Sequence, residues 1–256
     1  MAITINLELT DLCNIKCKMC SQSMRDEAHG APMQYMSWET WRQSLNNLES
    51  IEEELHLCPH WLGEPTLHPE FDRFIEYAFS SNHNNRRFRK FKLHTNAVIF
   101  NEDRATLLLE LTKLSHLAPD TFSFIHFSLD AHSPEVYREV KGADHGMRVR
   151  RNIERFLELR EQGGYNYPKL TIGFVVQPDN AADATAFQQH WLDVFSSHGL
   201  PLEQHLDWPS NNTDSIYFRP LNCSDQQASD LLHAEVAYEL GLTDQKMMRL
   251  RGDGSF

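Results

Sequence analysis

The chain has 256 residues, 41% of them hydrophobic and 11% aromatic, which is typical of a globular protein with one sizeable core. It carries 24 Lys and Arg against 36 Asp and Glu, and a net charge of −12 disfavours nucleic acid as a partner. The N-terminus lacks the basic start and apolar run of a secretory signal, and no stretch approaches the roughly 20 apolar residues of a membrane helix. We therefore expect a cytoplasmic protein with no membrane partner.

Strand-like and helix-like patterns alternate along the chain. Apolar residues flanked by turn residues predict strands at 3–9, 54–58, 88–94, 122–129, 170–177 and 216–219. Helices are predicted from residue 37, where a Ser cap precedes an acid, and at 71–79, 103–116, 134–140, 149–162, 182–197 and 226–240. The polar, proline-containing segment 203–214 is predicted to be a loop.

This alternation predicts an α/β fold with a parallel sheet and helical crossovers. Six such units are fewer than the eight of a closed barrel. Periodicity alone fits a curved partial barrel and a flat, doubly wound sheet equally well. We expect a core at residues 1–220 and a short C-terminal helical extension at 221–256.

Three of the five cysteines crowd together as Cys13, Cys17 and Cys20, with the spacing CxxxCxxC. This crowding and the odd total favour metal or redox chemistry over disulfides. Thiolates suit iron–sulfur clusters or zinc, but a structural zinc site takes four ligands. Three thiolates on a four-iron cube would leave one iron open. A zinc site completed by His or Asp is the alternative, and the chain would then be a zinc-stabilised, non-catalytic α/β binding protein.

Polar motifs follow the later predicted strands as well. They are Trp61-Leu62-Gly63-Glu64-Pro65, His94-Thr95-Asn96-Ala97, Ser128-Leu129-Asp130 and Val176-Gln177-Pro178. In parallel α/β folds the active site forms at the carboxyl ends of the strands, so we expect these motifs to share one edge of the sheet.

The cysteine motif directly after a first strand resembles the signature of the radical S-adenosylmethionine (SAM) superfamily. The later motifs resemble its GGEP, TNG and SLD segments, in the same order. The similarity is closest to the branch that includes the molybdopterin-precursor synthase, pyrroloquinoline-quinone synthesis and the peptide-modifying SPASM enzymes. The chain departs from the family pattern at Leu62 and at Ala97, where glycines are usual. If the turn at Ala97 needs a positive φ, alanine is strained there; the alternative is that the turn itself differs in this chain.

The resemblance implies a partial (β/α)6 TIM-like barrel, a [4Fe–4S] cluster held by the three cysteines, and SAM at the open iron. It implies cofactor-binding roles for Gly63, Glu64, Asn96, Ser128, Asp130, either Arg138 or Lys141 (for the SAM carboxylate), and Val176 and Gln177 (for adenine). It also implies the reaction: SAM is reductively cleaved to a 5′-deoxyadenosyl radical, which abstracts hydrogen from a peptide or small molecule. A flavodoxin or ferredoxin is the expected reductant.

The remaining cysteines, Cys58 and Cys223, are too few for the usual ligands of a second cluster. We therefore expect one cluster and a redox-neutral outcome such as epimerisation or rearrangement. Cys223 follows the last predicted strand and is the candidate catalytic residue, as a hydrogen-atom donor. The alternative is that Cys223 is a small buried apolar residue.

Overall fold

The structure is a computed structural model that describes residues 2–24, 34–82, 86–113, 118, 120–208 and 212–243. The last residues of the predicted helix 103–116 lie outside this part of the chain. So do residues 244–256 of the predicted C-terminal extension.

Seven strands are present among the described residues. They are β1 (Ile3–Asn6), β2 (Leu55–Cys58), β3 (Lys90–Thr95), β4 (Phe122–Ser128), β5 (Lys169–Val176), β6 (Glu203–His205) and β7 (Ser215–Pro220). The sheet order is β1-β2-β3-β4-β5-β7-β6, and the described pairings are parallel. The predicted α/β class with an open, parallel sheet is confirmed, and so is its partial TIM-like character.

Seven α-helices connect or follow the described strands. They are α1 (Trp38–Leu48), α2 (Phe71–Ser81), α3 (Glu102–Leu111), α4 (Pro134–Lys141), α5 (Gly146–Gln162), α6 (Ala184–Ser197) and α7 (Gln226–Glu239). The predicted start of α1 is confirmed, because the Ser37 side chain accepts a hydrogen bond from the Thr40 N–H. No described helix has an 18-residue stretch apolar enough to cross a bilayer.

Backbone proximity divides the chain into two compact units. Unit 1 comprises Met1–Asn14, Ser21–Phe127 and Arg151–Lys169, and unit 2 comprises Ile15–Cys20, Ser128–Arg150 and Leu170–Phe256. The predicted boundary at residue 220 stays a prediction.

In unit 1, the two faces of β3 have different surroundings. Phe91 and Leu93 are fully buried, and the Phe91 ring lies 5.0 Å from that of Phe79 in α2. The alternate residues, Lys92 and His94, are only half-buried. Since successive strand residues point to opposite faces, one face packs on helices and the other carries polar side chains.

In unit 2, aromatic side chains join β5, β7 and α6. Phe174 lies 5.5 Å from Phe218 on the neighbouring strand and 4.8 Å from Phe187 in α6, measured between ring centroids. All three are fully buried. This packing fixes the carboxyl end of β5, where Val176 and Gln177 lie.

Two predicted segments differ from the structure. Residues 203–214 were predicted to be a loop, but Glu203–His205 forms β6 and pairs with β7. Three residues are too short for a periodic pattern, and the sheet neighbour supplies the pairing. The first strand ends at Asn6 rather than at residue 9, and the Glu8 side chain beyond it binds the segment after β2.

Candidate functional site

In unit 1, the segment after β2 is held against the segment before Cys13. Glu8 accepts hydrogen bonds from the Leu62 and Gly63 N–H groups at 2.7 and 2.8 Å, and the Glu64 N–H donates to the Leu12 carbonyl at 2.7 Å. A Cβ at Gly63 would lie 2.0 Å from the Thr10 carbonyl oxygen. Glycine is therefore required here because another backbone approaches closely, not because of its φ.

The Glu64 carboxylate is buried and joins two strand-end motifs. Its Oε1 accepts from the Thr66 N–H, the Thr66 hydroxyl and the Thr95 hydroxyl at 3.2, 2.5 and 2.7 Å. Its Oε2 accepts from the Asn96 N–H at 2.7 Å. Burial raises the pKa of Glu64, while hydrogen bonds from Asn96, Thr66 and Thr95 act in the opposite direction. A carboxylate offers about four acceptor positions, so capacity remains on Oε2.

Asn96 links this network to the cysteine motif. Its side-chain amide donates to the Asn14 side-chain oxygen at 2.7 Å and to Cys13 Sγ at 3.8 Å.

The next residue, Ala97, is fully buried with a φ of 58°. The expected strain is therefore present, and the left-handed conformation costs about 1–2 kcal/mol for a residue with a Cβ. Hydrogen bonds from the Ala97 N–H to Thr95 and from Asn152 to the Ala97 carbonyl hold the turn.

We call residues 10–20 the cysteine loop. In unit 2, its residues 15–20 lie against the end of α4. The Lys18 N–H donates to the Val140 carbonyl at 2.9 Å, and the Cys20 N–H donates to the Cys17 carbonyl at 3.1 Å. Gly142 ends α4 with a φ of 64°, and a Cβ there would lie 2.4 Å from the Lys16 oxygen. This glycine meets both requirements, a positive φ and a close backbone approach.

A buried ion pair lies beside this loop. The Lys141 ammonium donates to Asp130 at 2.6 Å and to the Ser128 hydroxyl at 3.0 Å, and both charged side chains are 1% exposed. Burial acts to raise the pKa of Asp130 and to lower that of Lys141. The pKa of Asp130 is nevertheless lowered and that of Lys141 raised, because their mutual attraction, together with neighbouring hydrogen bonds and charges, outweighs burial. Burial also raises the pKa of the Cys17 thiol, and the Lys141 ammonium opposes that shift.

Arg138 and Lys141, the two basic residues predicted to pair with an anionic ligand group, differ in their surroundings. Arg138 lies on the surface, 55% exposed, and forms an ion pair with Asp144 at 3.3 Å. Lys141 is buried and uses two of its three N–H donors within unit 2. Among the described residues, the third Lys141 donor has no hydrogen-bond acceptor.

Asp130 also fixes the end of β5. Its Oδ1 accepts from the Val175 N–H at 2.8 Å, and its backbone adopts a φ of 61°. The Asn180 side chain donates to the carbonyls of Asp130 and Val175. Asn180 was not among the predicted site residues, although an Asn in a Gln-Pro-Asp-Asn turn is a recognisable signal for such backbone bonding.

Gln177 has an unsatisfied buried donor. The residue is 2% exposed, and its side-chain Nε2 has no hydrogen-bond partner among the described atoms. A buried amide without a partner costs about 1–3 kcal/mol. Val176, just before it, is fully buried at the end of β5.

The five cysteines are all free thiols. Cys13, Cys17 and Cys20 are partly exposed, Cys58 is buried and Cys223 is exposed. Cys223 lies between β7 and α7, where its Sγ donates to the Asp225 carbonyl at 3.4 Å. Its exposure does not match the alternative that Cys223 is a small buried apolar residue.

Within the described ranges, no three His, Cys, Asp or Glu side chains surround a point where one metal ion could bind.

Comparison with known proteins identifies related chains. A family model described as the radical SAM superfamily matches residues 7–183. A tungsten-containing aldehyde ferredoxin oxidoreductase cofactor-modifying protein of Pyrococcus furiosus is 22% identical over 216 residues, which cover 82% of this chain and 54% of the relative. The chain thus spans about half the length of that curated relative.

Two solved structures share the fold at low sequence identity. Native anSMEcpe with bound AdoMet has a TM-score of 0.59 and 17% identity, covering 93% of this chain and 59% of that one. A radical SAM methyltransferase from Sphaerobacter thermophilus has a TM-score of 0.53 and 14% identity, covering 97% and 64%.

The close approach at Gly63 generates a stability prediction. Gly63→Ala should lower the free energy of unfolding by about 2–3 kcal/mol or more, because the methyl group meets rigid backbone. The matched control is Gly199→Ala, where φ is +67° and no atom lies within 4 Å; there the cost should be about 1 kcal/mol, from backbone strain alone. Urea unfolding measures both. Equal costs at the two positions would contradict the inferred backbone contact.

The buried ion pair generates a second prediction. Lys141→Met should cost about 3–5 kcal/mol, because it leaves the Asp130 carboxylate buried without its counter-charge. Adding Asp130→Asn should recover part of that loss. Lys18→Met, which removes a surface lysine paired with Glu139 and Asp179, should change stability little.

The same pair predicts a pH dependence. Since the folded pKa of Asp130 is lowered, its contribution is present above the unfolded value of about 3.9 and is lost as the pH falls through the folded value. Wild-type protein should therefore lose more stability on acidification than the double variant. Identical pH profiles would argue against a charged pair.

Proposed function

The chain belongs to the radical SAM superfamily, and from this premise we propose that it is an enzyme holding one [4Fe–4S] cluster on Cys13, Cys17 and Cys20. The cofactors of this superfamily are the cluster and SAM. When bound, they supply a 5′-deoxyadenosyl radical, which here removes a hydrogen atom from a peptide or small-molecule substrate. The observation that carries the proposal is the CxxxCxxC motif within the family match.

The cysteine loop fits a cluster by the chemistry of its donors. Its three thiols are free and partly exposed, and sulfur is the ligand that iron–sulfur clusters prefer. In a cube the three thiolates bind three different irons, so they need not surround one point. The Asn96 amide at Cys13 and the Lys141 ammonium near Cys17 both favour a negatively charged sulfur.

Unit 1 offers acceptors for the SAM amino group. Glu64 is buried, its Oε2 accepts from the Asn96 N–H and has remaining acceptor capacity, and the Gly63 backbone lies beside it. A hydrogen bond between a charged donor and acceptor is about twice as strong as a neutral one. The role proposed for Asn96 is to orient Cys13 and the turn at Ala97.

Unit 2 offers partners for the SAM carboxylate and adenine. The unused donor of Lys141 suits the carboxylate, with Ser128 and Asp130 holding its ammonium in place. Arg138 is the weaker candidate, since it is exposed and paired with Asp144. The unpartnered Gln177 amide suits the nitrogen acceptors of adenine, beside the Val176 backbone.

The reaction after hydrogen abstraction is proposed to be redox-neutral. Cys58 is buried and Cys223 is exposed, and two cysteines cannot supply the usual ligands of a second cluster. Cys223 is the proposed hydrogen-atom donor to the substrate radical; the thiyl radical left on its sulfur would take up one proton and one electron, the electron coming from the same reductant that reduces the cluster. A flavodoxin or ferredoxin is the proposed source of the electron.

The cluster proposal predicts the effect of removing each sulfur. Anaerobically prepared wild-type protein should contain about four irons and four sulfides per chain and should release 5′-deoxyadenosine when reduced with dithionite in the presence of SAM. Cys13→Ala, Cys17→Ala and Cys20→Ala should each lose most of the iron and all of this activity. Cys223→Ala, the same change outside the motif, should keep the iron.

Other results would contradict the proposal. One zinc per chain, with colourless protein and no 5′-deoxyadenosine, would favour the zinc-stabilised binding protein instead. Full iron loading without SAM cleavage would indicate a protein that holds the cofactors but has lost the reaction.

A further inference from the structure

The polar face of unit 1 carries a cluster of stacked side chains. His94 in β3 stacks on His60 with ring centroids 5.3 Å apart and an interplanar angle of 9°. It also lies 5.0 Å from His126 and 5.7 Å from Phe124, both in β4. Lys92 lies two residues before His94, and its Nζ is 5.9 Å from the centre of the Phe124 ring. We call Lys92, His60, His94, Phe124 and His126 the ladder.

Lys92 is a half-buried cation without an acidic partner. In the part of the chain that the structure describes, no Asp or Glu oxygen lies within 4.0 Å of its Nζ, and its recorded neighbours are Phe124, Cys58 and His56. Burial lowers its pKa, and the nearby Cys58 acts in the opposite direction. A partly desolvated ammonium that lacks a counter-charge costs free energy, which an anion would recover.

Lys90 provides the internal comparison. It lies on the same strand two residues earlier and on the same face, and it is bonded to the Asp120 carboxylate and to the Asp120 carbonyl. The acidic partner thus neutralises Lys90 but not Lys92.

The neutral His60 ring is compatible with an anion as well. Burial lowers the pKa of His60 to about 4, so this imidazole is neutral at physiological pH and adds no repulsion toward Lys92. Neutral imidazole carries one N–H donor. A ligand cation would meet an ammonium here, and an apolar ligand would leave that ammonium desolvated.

We propose that the ladder binds an anionic group of the substrate, a carboxylate or a phosphate, with Lys92 as its counter-charge. This inference rests on the proposed function, because it assigns the ladder to the substrate of that enzyme. It narrows the substrate to peptides or small molecules that bear an acidic group. Lys92 is then a specificity-determining residue.

The test measures anion binding rather than turnover. Acetate and inorganic phosphate are titrated separately into the holoprotein with SAM present, so that SAM occupies its own carboxylate site, and binding is followed by the NMR line width of each probe. Lys92→Met, which keeps an unbranched side chain one atom shorter and removes the charge, should weaken binding of the preferred probe about tenfold. Lys92→Arg should bind that probe much more tightly than Lys92→Met, and Lys90→Met should match the wild type. The probe that binds more tightly identifies the acid as a carboxylate or a phosphate.

Two results would overturn the inference: binding of both anions by Lys92→Met as tightly as by wild type, or no binding of either anion by wild type in the millimolar range. Iron content is measured on the same samples and reports on the proposed function separately. Protein that lacks iron but shows Lys92-dependent binding would contradict the cluster and still support the anion site.

Discussion

The candidate site depends on two places where other backbone segments press directly against the backbone of the cysteine loop. In unit 1, Gly63 approaches the oxygens of Thr10 and Leu12, and in unit 2, Gly142 approaches the oxygen of Lys16. A side chain at either position would push the loop away. Three thiols in a short loop can bind a cluster only if that loop has a defined course, and these two glycines permit the contacts that define it.

Buried ionisable groups near the loop have polar partners within each unit. Glu64 is surrounded by donors from Thr66, Thr95 and Asn96, and Lys141 is paired with Asp130. Such groups are costly to bury alone but stable when paired. Lys92 does not follow this rule among the described residues, and for that reason its charge is better explained by a ligand than by the fold.

Much of this arrangement could be predicted from the sequence, because it depends on local patterns. The cap at Ser37, the strand–helix alternation and the cysteine spacing each follow from residues close together in the chain. The strain at Ala97 could also be foreseen, since alanine stands where a turn of this kind favours glycine. The three-residue strand β6 could not be foreseen, because it exists through its pairing with β7.

The contacts of the site residues could not be predicted, because they join distant parts of the chain. The sequence offered Arg138 and Lys141 equally, and only the fold shows that Lys141 is buried beside Asp130 while Arg138 is exposed. Similarly, no sequence pattern indicates that Asp120 forms an ion pair with Lys90, while Lys92 has no carboxylate partner among the described residues. Within the described residues, the buried Gln177 amide nitrogen lies where the sequence predicted a ligand and has no hydrogen-bond partner.

The central claim is that the three cysteines leave one iron of the cube open for SAM. Its most direct test is the electron paramagnetic resonance spectrum of the anaerobically reduced holoprotein, recorded with and without SAM. If SAM coordinates the open iron, its addition should change the g-values of the reduced cluster. A spectrum that is unchanged by saturating SAM, or the absence of any iron–sulfur signal, would contradict the claim.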